Sequence, residues 1–230
     1  MSQRRRMMNW KNVSIIVALM CASMIFFAGS CDNGAQDFPS EVSNMLTDEQ
    51  INQLEHDGLE LYRGSNPPNV EGIYLGDSQY CVYSSDGMQD WYTYSYYYNL
   101  SDQTGDTLTV AFDGGGGSDV SDGDLAYISG EGNNFSIFVE VNGIDTGITY
   151  TNVTVYSGTI DTDGIHDFQF GFIMTAKGPD PTGWLMDVGE DRIFIEDDYL
   201  AARYEGAWPP TGGDALPLSS RGRVSRNAVR

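Results

Sequence analysis

The sequence predicts an all-β protein: an antiparallel meander of eight to ten strands preceded by one short helix. The meander closes into an up-and-down barrel or folds into a two-sheet β-sandwich. Three observations predict this. Apolar residues recur with period two from Val70 to about Ile195. Turn residues break that pattern at short intervals, and Asn142-Gly143 is the strongest hairpin signal because both residues tolerate positive φ. Finally, no segment in this span offers the amphipathic helix that a parallel βαβ crossover needs.

The first thirty residues stand apart. Arg4, Arg5, Arg6 and Lys11 form a positive front, an apolar run extends from Val13 to Ala28, and Ala28-Gly29-Ser30 leads into Cys31. Positive, then apolar, then small residues at a cut is the order of a secretory signal, removed in the mature protein. With a cysteine directly after the small residues, the segment resembles a bacterial lipoprotein signal with a lipobox. The resemblance implies that residues 1–30 are removed, that Cys31 becomes the acylated N-terminus, and that the protein is lipid-anchored to a membrane of the cell envelope. Asp32 resembles the inner-membrane retention signal of enteric bacteria, a rule that other lineages ignore, so the choice of membrane stays open.

Charge is distributed unevenly. All 33 acidic residues lie between Asp32 and Asp214, an interval whose only bases are Arg63, Lys177, Arg192 and Arg203, giving a formal charge of −29. Nucleic acid and anionic lipid heads bind through Lys and Arg, so this region is expected to repel both. The acidity fits either solubility in a salty medium or divalent-cation binding by clustered carboxylates. Of three cysteines, Cys21 leaves with the signal and Cys31 takes lipid. Cys81 is left alone, without an intrachain disulfide, and reads as a small buried hydrophobe.

Residues 31–46 read as a flexible tether. Residues 47–64 form a short helix and connector, because Thr47-Asp48-Glu49-Gln50 is a capping box, Ile51 and Leu54 follow at helical spacing, and Gly58 is a stop. Gly64-Ser65-Asn66-Pro67-Pro68 then sends the chain extended into a β domain spanning 65–208. Its strands are expected at 70–75, 79–84, 91–100, 105–112, 124–129, 134–141, 146–156, 165–176, 183–188 and 192–196. Leu108, Val110 and Phe112 share one face, as do Phe135, Ile137, Val139 and Val141, and likewise His166, Phe168, Phe170, Phe172 and Met174. Residues 209–230, carrying Arg221, Arg223, Arg226 and Arg230, read as a disordered basic tail.

The leading short helix, the Gly72-Ile73-Tyr74 entry to the first strand and the meander after it resemble the lipocalin-like, or calycin-like, barrels over residues 47–196. Gly-x-Tyr stands here where such barrels favour Gly-x-Trp. The stretch from Leu59 to Gly72 also resembles a segment of uncharacterised bacterial lipoproteins, which implies an envelope address and no activity.

Several constellations are candidates for function. Tyr92, Tyr94, Tyr96, Tyr98 and Leu100 share a face by alternation, with Trp91 and Tyr97 on the other. Rows of tyrosine suit a cavity wall or a sugar-stacking platform, and equally an ordinary sheet. Tyr92, Tyr94, Tyr96, Phe168, Phe170 and Phe172 are therefore the candidate ligand-binding residues, lining a hollow or a filled core. The Asp113–Asp124 loop carries four carboxylates and four consecutive glycines but lacks the EF-hand spacing, and a solvated loop is the favoured reading. Asp161-Thr162-Asp163-Gly164 and Glu196-Asp197-Asp198 read as turns. His56 and His166, so placed, do not make a usual zinc site, and no serine elbow or phosphate-cradling glycine loop occurs.

The expectation is a non-enzymatic, lipid-anchored envelope protein with neither cofactor nor metal. Its barrel would hold a small apolar or amphipathic ligand, or act as a structural or interaction module. The alternative is a surface glycan-binding β-sandwich with Trp91 and Tyr97 as the platform.

Overall fold

A computed structural model describes residues 38–93, 95–114, 120–122 and 125–210. The leader, Cys31, Tyr94, most of the 113–124 loop and the tail from 211 lie outside them. Among the described residues two helices, α1 (Val42–Met45) and α2 (Asp48–His56), precede twelve strands. These are β1 (Ser65–Asn66), β2 (Gly72–Gly76), β3 (Gln79–Ser84), β4 (Tyr96–Thr104), β5 (Thr107–Gly114), β6 (Val120–Asp122), β7 (Leu125–Glu131), β8 (Asn134–Asp145), β9 (Ile148–Asp161), β10 (Gly164–Lys177), β11 (Asp191–Glu196) and β12 (Leu200–Arg203).

The strands close into a ring. In order around it run β2, β4, β5, β7, β8, β9, β10 and β12, and β12 pairs back onto β2. Each neighbouring pair is antiparallel, so the ring is an up-and-down meander and the sandwich alternative is not adopted. Two of its walls are bent strands. β2 runs through Asp77-Ser78 into β3, and β11 runs through residues 197–199 into β12. Accordingly β10 pairs first with β12 and then with β11, which pairs in turn with β3.

The interior is apolar and receives side chains from every strand of the ring, among them Tyr74, Tyr98, Leu108, Ile128, Phe135, Ile137, Tyr156, Phe168 and Ala201. A second cluster lies outside the wall. Phe138, Val153, Val155, Ile173 and Ile193 meet Val42, Leu46, Ile51, Leu54, Leu59 and Leu61 from the N-terminal segment. β8 is consequently buried on both faces from Phe135 to Val139.

This outer layer corrects the tether. Residues 38–46 are packed, with Val42 fully buried and Phe38 edge-on to Phe138 at 4.9 Å. Their polar look concealed the few apolar residues that dock. The described residues form two helices rather than one, and α2 carries the expected capping box, Gln50 N donating to Thr47 Oγ1 and Thr47 N to Gln50 Oε1. Arg63 ties the layer down, bonding Glu55 through both guanidinium nitrogens at 2.5 and 2.8 Å and lying over the Phe38 ring.

Three further expectations are corrected. Asn142-Gly143 lies inside β8, opposite Thr151 and Tyr150, and the hairpin turns at Thr146-Gly147, where both φ angles are positive. A side chain at position 143 would collide with the Tyr150 ring, which explains the glycine there. Residues 183–188 form no strand, because the Asp180 carboxylate takes the Trp184 and Leu185 backbone N–H groups that a ladder would use. On β10, Asp167 adopts φ 51 and shifts the register, so Ile165 and Phe168 both face the interior while His166 faces out.

Leu54 is fully buried beneath the outer layer. Leu54→Ala is expected to lower the free energy of unfolding by about 2–5 kcal/mol in urea denaturation, as for a core leucine. A loss near zero would mean that the N-terminal segment is not part of the folded unit.

Candidate functional site

The interior of the ring is the first candidate. Tyr98 lies 5.3 Å from Tyr156 and 5.4 Å from Phe168, ring centre to ring centre, and Tyr96 lies 6.2 Å from Tyr98. Phe194 of β11 stacks on Phe170 at 4.8 Å and meets Phe172 at 6.1 Å. Four of the six candidate residues, Tyr96, Phe168, Phe170 and Phe172, thus join one aromatic column. Tyr92 does not: it is 48% exposed and packs on Tyr80 at 5.0 Å. Period-two alternation does not carry through from Tyr92 to Tyr96. Tyr97, expected on an open platform, is buried against Tyr204, and Trp91 is half-buried.

The column leaves little space. Tyr98, Leu100, Phe135, Ile137, Tyr156, Ile165 and Phe168 enclose a cavity of about 10 Å³. That is the room of one water, whereas small-molecule sites run to roughly 300–1,000 Å³.

Two carboxyls on β11 are buried, Glu196 on the face of Phe194 and Asp191 on the face of Ile193, and neither was singled out by the sequence pattern. Glu196 is 2% exposed; its Oε1 accepts from Asp77 N at 3.0 Å and Ser78 N at 2.9 Å, pinning the bend between β2 and β3. Its Oε2 has no partner. Burial raises its pKa to about 7, aided by Asp198 and Asp77 and opposed by the two N–H donors. Asp191 is fully buried at the other end of the strand. Gln53 Nε2 of α2 donates to its Oδ1 at 2.8 Å, its Oδ2 is unpartnered, and burial raises its pKa. The signal for Glu196 was present in its spacing, since it shares a strand face with Phe194 two residues before.

At the rim, Asp161, Asp163 and His166 bring three possible ligand atoms within 4.8 Å of one another. Such a trio can collect a divalent ion, and it equally makes an exposed ion pair, His166 Nε2 to Asp163 Oδ1 at 2.8 Å. His56 is exposed beside Asp57. Cys81 is buried and donates its thiol to the Tyr83 carbonyl, and burial pushes its pKa to about 11, so it behaves as the small hydrophobe expected. Among the described residues all four bases have partners within the fold. Arg63 pairs with Glu55, Lys177 with Asp180 and Asp187, Arg192 with Asp86, and Arg203 bonds Tyr74 Oη.

No known protein family matches the chain, and no curated protein or solved structure is similar to it. Among the described residues no helix is long and apolar enough to cross a membrane.

The Asp163 hydrogen bond raises the pKa of His166 above the usual 6.5. The pair therefore contributes fully below the unfolded imidazole pKa and fades as pH climbs through the raised one. An NMR titration should show that midpoint above 6.5, and Asp163→Asn should bring it down.

Proposed function

We propose that this chain is an exported, lipid-anchored protein of the bacterial cell envelope whose barrel works as a non-enzymatic structural or interaction module. The filled interior carries this reading. A carrier of apolar ligands needs a hollow of several hundred Å³, and the aromatic column occupies that space here. The address rests on the leader and on Cys31 at the end of its small residues. The calycin-like resemblance is compatible with the closed meander, and the module differs from a carrier in what fills the ring.

The surface sets the partner chemistry. With the four bases of the body held in internal contacts, the outer face offers carboxylates, hydroxyls and a few aromatic rings. It suits cationic or neutral partners and disfavours nucleic acid. A second reading, glycan binding, moves from Trp91 and Tyr97 to the tilted pair Tyr80 and Tyr92. Their rings are accessible beside Asp90, which accepts from the Tyr80 hydroxyl.

Two measurements test the proposal. In cells fed an alkyne-tagged fatty acid, the protein should take up label and the Cys31→Ser variant should not. Native mass spectrometry of the purified acyl-free domain after exposure to a lipid extract should find nothing retained. A retained lipid would restore the carrier, and glycan-array binding lost in Tyr92→Ala would establish the sugar platform.

A further inference from the structure

We propose that Glu196 is a proton-binding site built into the barrel wall. The neutral acid suits the buried wall, whereas the carboxylate leaves a charge there with one oxygen unpartnered and weakens the fold.

The geometry begins with two unpartnered atoms. Glu196 Oε2 and Gln79 Oε1 both lack a hydrogen-bond partner, in residues 2% and 0% exposed. Both side chains border the same glycine. A Cβ added at Gly76 would stand 3.2 Å from Glu196 Oε2 and would collide with the Gln79 amide nitrogen. Glu196 Oε1 accepts from Asp77 N and Ser78 N, so an ionised Glu196 holds its charge in the wall with Oε2 lacking any donor. Adding one proton at Oε2 removes that charge and leaves Oε1 free to accept both bonds. Gln79 Nε2 donates to Tyr98 Oη at 2.7 Å on the same side of the glycine.

The surroundings favour the neutral form. Asp77 faces Glu196 from the bend, Asp198 from the turn after β11, and Tyr98 from β4. The two carboxylates oppose ionisation of Glu196, and Tyr98 is itself driven well up by burial. The bases of the described residues are committed elsewhere, in the pairs named above. A buried carboxylate oxygen without a donor is costly to keep charged, which gives the proton its hold.

Linkage fixes the sign. The folded pKa of Glu196, about 7, lies above the 4.5 of an ordinary glutamate. Its contribution is therefore complete below the unfolded value and is lost as pH rises through the folded one. Over that window the folding equilibrium constant should fall by up to roughly tenfold per pH unit, on the order of 100-fold in all.

The test compares the full chain with its Glu196→Gln variant by denaturant unfolding from pH 4.5 to 8.5. Glutamine imitates the protonated acid and should abolish this part of the pH dependence, leaving the variant more stable than the wild type at pH 8.5. His166 and Asp191 also titrate differently in the folded state, but both remain in the two proteins, so the difference curve belongs to position 196. Parallel pH curves for the two proteins would overturn the proposal. An independent readout does not need the variant to be stable. A carbon-13 NMR titration of the Glu196 carboxyl carbon in the wild type should show its midpoint well above 4.5, and a midpoint at or below 4.5 would also overturn it.

Discussion

The first and last strands of the ring meet over two residue pairs, Ala202 with Leu75 and Arg203 with Tyr74, and the closed interior depends on that junction. So short a ladder needs support from side chains. Arg203 lies over the Tyr74 ring at 5.0 Å and bonds its hydroxyl, which donates in turn to the Val70 carbonyl. Arg203 N and Tyr204 N donate to the carbonyls of Asp163 and Ile73, and the Tyr204 ring rests on Tyr97. A closed ring has no free edge, which leaves one-sided pairing to the short side strands β1, β3 and β6. Once the ring closes, its inner faces must be filled, and tyrosine and phenylalanine fill them.

Bends make the ring more than a simple cylinder. β2–β3 and β11–β12 each change direction once, and the two bends are stitched together by Asp197 N donating to Ser78 O and by Glu196 reaching Asp77 and Ser78. The bends let one strand serve the ring with one half and a side sheet with the other. On the outside of that side of the wall, α1, α2 and the connector cover apolar residues that would otherwise face water. The N-terminal segment is therefore part of the fold's stability, and any activity must be read from outer surfaces and the rim.

Much of this was legible in the sequence. Alternation at Leu108–Val110 and Phe135–Val141 placed those faces inward, and the capping box placed α2. Legibility failed where local chemistry overrode the pattern. β12, Leu200-Ala201-Ala202-Arg203, has weak strand preference and forms because the ring requires a partner for β2. His166 was assigned to the wrong face because a single residue, Asp167, adds a bulge that period-two reasoning cannot see. Asn142-Gly143 carries the hairpin signature for a different reason, to make room for Tyr150. Of the candidate site, the aromatic column was foreseen in four residues. Glu196 was absorbed into an acidic turn, although its spacing from Phe194 placed it on the same buried face.

The internal engagement of every basic side chain in the body has a practical consequence. Lys177 is the sole lysine beyond position 11, and its ammonium sits between Asp180, Asp187 and the Leu185 carbonyl. Arg63 and Arg192 are likewise clasped by carboxylates. To proteases that cut after basic residues, and to reagents that seek free amines, the folded body presents almost no handle. That blankness gives the described body durability without a disulfide, since its one cysteine, Cys81, is a free thiol.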